Sequence, residues 1–168
     1  LPIFVGLRGF DVHELSKNLE VYRQSRIDAG FTETPDVLLR IPVYVAETAE
    51  RAREDAEVST MKSYERLANT FSQSIGGEGT QNSEDRAERA KRLASVNYEQ
   101  LLVDRLAYGT PEMVIERLTI LTKELGLSGV VIEPNVGGGI AAPSCAGDRF
   151  RYVCSIDCEW RNKNQCTT

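Results

Sequence analysis

Histidine is almost absent: His13 is the only one in 168 residues. On this count neither catalysis by a His-based triad nor a metal site of several histidine ligands is expected within the chain. His13 stands in the first turn of an expected helix beside Asp11 and Glu14, where a surface residue is the simplest reading. Cysteine is missing from the first 144 residues, and all four, Cys145, Cys154, Cys158 and Cys166, fall in the last 24. An oxidising compartment would allow them three disulfide pairings, and the cytosol would invite a metal. Their gaps of eight, three and seven residues contain no close CxxC pair of the kind a structural zinc site uses, so no metal is expected.

Long apolar runs are also lacking: none reaches about 18 residues, and no basic segment followed by an apolar core opens the chain. A membrane span and a visible secretion signal are excluded on this reading, and a cytoplasmic location is expected. Positive charge is outnumbered, with 20 Lys and Arg against 25 Asp and Glu interspersed for a net −5. There is no basic stripe to neutralise phosphates, which argues against a dedicated nucleic-acid binder.

What is present is the composition of a globular domain, 41% hydrophobic and 27% charged. Leu1 to Gly6 is a short apolar run that reads as a strand. Asp11 precedes a helical pattern of Leu15, Leu19, Tyr22 and Ile27, with Gly30 as a stop. Val37 to Ala46 is β-branched and aromatic enough for a second strand, in which Pro42 suggests a bulge or a late start. Thr48 opens a helix that Ala52, Ala56, Met61, Tyr64, Leu67 and Phe71 continue. Residues 72–85 are Gly, Ser, Gln, Asn and acidic, the composition of a mobile loop. Charged residues at helical spacing predict a solvated helix over Glu84 to Leu93, and another helix follows over Tyr98 to Ala107. Thr110, Pro111 and Glu112 read as cap, first helical residue and first-turn acid of a helix striped by Met113, Val114, Leu118, Leu121 and Leu125, with Gly126 as its stop. Val130 to Glu133 is a third strand, and Gly137 to Gly139 form a glycine-rich loop beyond it.

Strands separated by helical crossovers predict a parallel sheet, whose ligand site lies past the carboxyl ends of the strands. The loops of interest are therefore Gly6 to Gly9, Glu47 onward and Asn135 to Gly139.

Three segments, Arg40 to Ala52 (RIPVYVAETAERA), Tyr108 to Glu112 (YGTPE) and Leu125 to Gly138 (LGLSGVVIEPNVGG), together and in this order resemble the carboxyl-terminal part of luciferase-like flavin-dependent monooxygenases. The resemblance runs over about residues 1–140. It implies an α/β fold, a partial TIM barrel consisting of the last three strand and helix units. A helical, polar insertion after the second strand, about residues 50–107, would act as a lid. It implies FMN as cofactor, with a deazaflavin coenzyme as the alternative, and a small-molecule substrate, oxygen and a flavin reductase as partners. A complete barrel takes eight units and roughly 250 residues. The resemblance thus implies a carboxyl-terminal fragment that is inactive alone, binds flavin weakly or not at all, and self-associates through open sheet edges. The segment 141–168 lacks the family's final helix and is expected to be an irregular, atypical tail, as a shifted reading frame would produce. The competing reading is a non-catalytic α/β module that pairs with itself or another chain.

A flavin site needs a ring wall, a phosphate cradle and hydrogen-bond donors. Phe4 and Gly6 at the end of the first strand offer a wall, or else interior packing and a turn. Arg8 could reach an anion, or be a solvated loop residue. Asn135, Gly137 and Gly138 expose backbone amides that can bind an anion, or close a tight turn. Glu133 is the nearest carboxylate, with its direction left open by strand alternation, and Tyr44 and Tyr108 read as core aromatics.

Overall fold

Val37 to Val45 is a nine-residue run of mainly β-branched and apolar residues, and the other strands assemble on it. In the computed structural model, which describes residues 2–74, 83–134, 136 and 138, this run is strand β2. The element order is β1 (Ile3–Gly6), α1 (Val12–Asp28), β2, α2 (Ala49–Gln73), α3 (Ser83–Ser95), α4 (Tyr98–Asp104), β3 (Ala107–Gly109), α5 (Pro111–Leu125) and β4 (Gly129–Glu133). Every pairing is parallel. Leu38, Leu39 and Arg40 pair with both β1 and β4, which therefore flank β2 on opposite sides. The β3 ladder takes over further along, at Val43 to Val45. Among the described residues this is an α/β fold with a four-stranded sheet and five helices. No helix among the described residues is long and apolar enough to cross a membrane.

Side chains alternate across a strand, so each face of the sheet can be followed separately. One face carries Ile3, Val5, Val37, Leu39, Ile41, Val43, Val130 and Ile132, and packs on Leu15 and Leu19 of α1 and on Val114, Leu118, Leu121 and Leu125 of α5. The other face divides in two. Toward the carboxyl ends, Tyr44 and Tyr108 are buried against Ala52, Ala56, Tyr64 and Ala68 of α2, with Leu93, Tyr98 and Leu101 from α3 and α4 completing the cluster. Toward the amino ends, Phe4 is 66% exposed and Val131 37% exposed on either side of the exposed Arg40.

The caps follow local chemistry. Asp11 Oδ1 accepts from the Glu14 amide at 2.8 Å, Thr48 Oγ1 from Arg51 at 3.1 Å, and Thr110 Oγ1 from Met113 at 3.5 Å, with Pro111 in the first turn. His13 is exposed, as a surface residue should be.

Several expectations need correction. The expected helix over Tyr98 to Ala107 ends at Asp104, and Ala107 to Gly109 form β3, a strand too short to show a period of its own. Pro42 produces neither a bulge nor a late start. It is the last residue of the β4 ladder, and the β3 ladder begins at Val43, so its missing N–H falls where β2 changes partner. The flanks of the expected loop over 72–85 are helical, in α2 and α3; residues 75–82 lie outside the described residues. Ile27 and Met113 stand outside the buried stripes of α1 and α5: both are exposed, Ile27 in the last turn of α1 and Met113 over the bare Cα of Gly109. Cys145, Cys154, Cys158 and Cys166 lie outside the described residues.

Candidate functional site

Beyond the carboxyl ends of β1 and β4 the polar residues of the sheet converge. β1 runs into a loop anchored by Leu7, which is fully buried and turns the next side chain, Arg8, toward β4. There Arg8 Nη2 donates to Glu133 Oε1 at 2.8 Å. Arg40 Nη2 reaches the same oxygen at 3.1 Å, because Val131 pairs with Arg40 and Glu133 with Pro42, which puts Arg40 and Glu133 on one face. Glu133 Oε2 and Arg8 Nε are both buried with no hydrogen-bond partner among the described residues. Buried polar atoms are normally satisfied, so two orphans in one ion pair mark a place where a ligand or water belongs.

Arg105, at the carboxyl end of α4, holds the loop from behind: it is buried and its Nη1 donates to the Arg8 carbonyl at 3.0 Å. Its guanidinium also lies 6.0 Å from the centre of the Tyr64 ring on α2. Tyr64 is 1% exposed and its hydroxyl has no partner among the described residues. Burial pushes this hydroxyl up to about 12, against the pull of the positive charges on Arg105 and Arg8. At neutral pH it keeps its proton and is available as a donor.

Tyr108 on β3 shares a hydrogen bond with Thr60 Oγ1 at 3.3 Å, and burial raises its hydroxyl to about 12 as well. It meets Tyr44 edge to face at 5.9 Å between ring centres. Tyr44 in turn donates to Asp55 Oδ2 at 2.8 Å. Ser59 Oγ donates to the carbonyl of the buried Val136 at 2.8 Å, which clips α2 to the segment that leaves β4. α2 is thus fixed across the strand ends through Asp55, Ser59 and Thr60, on two successive turns. Between Arg8 and this helix runs an open cleft of about 340 Å³ bordered by Ser63, Arg66, Leu67 and Thr70.

Of the residues singled out from sequence, Arg8 is at the centre of this cluster. Phe4 and Gly6 lie on β1 in register with Leu38 and Arg40, on the face that α1 and α5 leave open. A Cβ on Gly6 would rest 3.5 Å from the Arg40 carbonyl, an ordinary contact. Gly138 is exposed at φ +71, and Asn135 and Gly137 lie outside the described residues. Glu133 faces Arg8, which settles the direction left open above. Sequence reasoning missed Arg40, Arg105, Thr60, Ser59 and the α2 side of the cleft. Arg40 carried one signal, as the only charge inside an apolar strand; the others sit on helices, where a polar residue is ordinary.

The sequence model of the luciferase-like monooxygenases matches residues 1–128. No curated protein matches the chain. Among solved structures it resembles a riboflavin lyase with modified FMN and substrate riboflavin, at a TM-score of 0.55 and 17% identity over 94% of this chain and 38% of that one. A long-chain alkane monooxygenase gives a TM-score of 0.54 at 20% identity, over 96% of this chain and 36% of that one. The chain spans little more than a third of the length of these two structures, and at such identity the likeness is one of fold.

Proposed function

The chain belongs to the luciferase-like monooxygenase family, and on that footing we propose that it supplies the last three strand and helix units of a flavin-dependent monooxygenase or oxidoreductase barrel. In this reading α2, α3 and α4 form an insertion after the second of those strands, and the ligand site is the cluster around Arg8 and Glu133. The observation that carries the reading is the second face of the sheet. Phe4, Leu38, Arg40 and Val131 share it, and Phe4 and Val131 remain exposed, as interior barrel residues would be without the strands that face them.

The residues present fit one wall of a flavin site. Phe4 offers an exposed ring, Gly6 beside it has no side chain, and Arg8 Nε is a donor without an acceptor among the described residues. FMN is the preferred group and a deazaflavin coenzyme the alternative. When bound it would supply two-electron redox chemistry, and in the FMN case reaction with oxygen. The work of the chain is positional. Glu133 and Arg105 hold Arg8 from two sides, α2 closes the strand ends against water, and Tyr64 holds its proton for an acceptor placed at its oxygen. A small-molecule substrate, oxygen and a flavin reductase are the partners this role implies.

Flavin fluorescence during titration with the chain tests the proposal. Saturable quenching, weaker than about 1 μM because the wall is partial, is the expected result. No quenching at all would overturn it.

A second reading, a self-associating module without catalysis, is favoured by the same exposed Phe4. Size-exclusion chromatography checks it: concentration-dependent oligomers that Phe4→Lys disperses support it, and a monomer at every concentration contradicts it.

A further inference from the structure

Met113, Arg117, Ile120 and Glu124 stand at i, i+4, i+7 and i+11 on α5, the spacing that sets side chains in a row along one side of a helix. The row runs beside the buried stripe of Val114, Leu118, Leu121 and Leu125 without joining it: Met113, Ile120 and Glu124 are exposed, and Arg117 is half-buried. Within the row, Arg117 Nε and Nη2 are shielded from solvent and have no hydrogen-bond partner among the described residues. Burial holds this guanidinium below its usual pKa, and the carboxylates of Glu124 and Asp104 oppose that from a distance, neither in ion-pair contact with it among the described residues. A cation desolvated without an anion costs free energy, and an anion brought to it recovers part of that cost.

Arg117 and Glu124 lie two turns apart on this row, with Ile120 between them. A row with a cation toward one end, a carboxylate at the other and an apolar residue between is complementary to its own reverse. When two such helices run antiparallel about a two-fold axis at the middle of the row, Ile120 meets Ile120 and Arg117 of each copy comes beside Glu124 of the other. We propose that this side of α5 is the surface on which a second copy of the chain docks, antiparallel and two-fold, with an Arg117 to Glu124 pair on either side of Ile120. Turning about its own side-chain bonds brings the Arg117 guanidinium to the incoming carboxylate, and Met113 extends the apolar contact. α5 covers one face of the sheet and Phe4 stands on the other, so this dimer leaves the open sheet face as it is and does not depend on the flavin reading.

The test is sedimentation of the full chain over a range of concentrations. A concentration-dependent dimer is expected, weakened about tenfold in Glu124→Arg and in Arg117→Glu with unchanged far-UV circular dichroism. Glu124→Arg moves the net charge of −5 toward zero, which on its own favours association, so a weakening is specific to the pairing. Glu65→Arg makes the same change of charge at an exposed position of α2 and should leave the dimer as it was. Mixing the Glu124→Arg and Arg117→Glu chains should restore association, because each then offers the charges that the other needs. A monomer at every concentration, a dimer that Glu124→Arg leaves unchanged, or a mixture of two folded variants that stays monomeric would overturn the proposal. So would dispersal by Phe4→Lys, which would assign the association to the open sheet face and leave the proposed function standing.

Discussion

Arg8 and Glu133 are 125 positions apart in sequence, and their side chains meet at 2.8 Å. The contact exists because β1 and β4 run parallel on either side of β2, so their carboxyl ends reach the same end of the sheet. One carboxylate oxygen serves two guanidiniums there.

Glu133→Gln should therefore be felt by two partners. It removes the charge that holds Arg8 and Arg40, and leaves Arg8 in a half-buried place without an anion. Solvent screens much of the effect, so a loss of about 1 kcal/mol is expected in urea denaturation. Arg40→Gln, at the more exposed partner, should cost less.

Stability should fall steeply in alkali. Tyr64 and Tyr108 are raised from 10.0 to about 12 chiefly by burial, and Tyr98 is raised further for the same reason. The folded state favours the neutral phenol, so this contribution is complete below pH 10 and is lost as pH rises through about 12. Denaturation followed by circular dichroism, with tyrosinate absorbance recorded in parallel, should show these tyrosines ionising only as the chain unfolds. Tyr64→Phe should flatten that decline, and ionisation of all tyrosines near pH 10 in a folded chain would contradict the account.

Gly126→Ala should lower the melting temperature. Gly126 ends α5 at φ +59, a region that costs a residue with a Cβ about 1 kcal/mol. The new methyl would also come within 2.9 Å of Arg23 Nη2, which donates to the carbonyls of Leu125 at 2.6 Å and Gly126 at 3.1 Å. Each kcal/mol corresponds to about 2–4 °C in a chain of this size. Gly126→Asn, better suited to the left-handed region, should lose less.

The elements that sequence reasoning placed well are those whose signals are local. Asp11, Thr48 and Thr110 act as caps through an amide three residues away, and the β-branched run of β2 needs no distant information. β3 was hidden because three residues cannot show a period, and its identity comes from Val43 to Val45, more than 60 positions earlier. At the site, Arg8 was legible as a cation after a strand. Its partnership with Glu133, the bracing by Arg105 and the cleft against α2 depend on how strands and helices are brought together, which no spacing records.

The most direct test of the central claim is a fluorescence titration of FMN with three forms of the chain: unchanged, Phe4→Ser and Arg8→Gln. Weak, saturable quenching by the unchanged chain, reduced by both substitutions without loss of helical signal, is the predicted result. Identical titrations for all three would show that the open sheet face and the Arg8 to Glu133 cluster are not part of a flavin site, and would contradict the account.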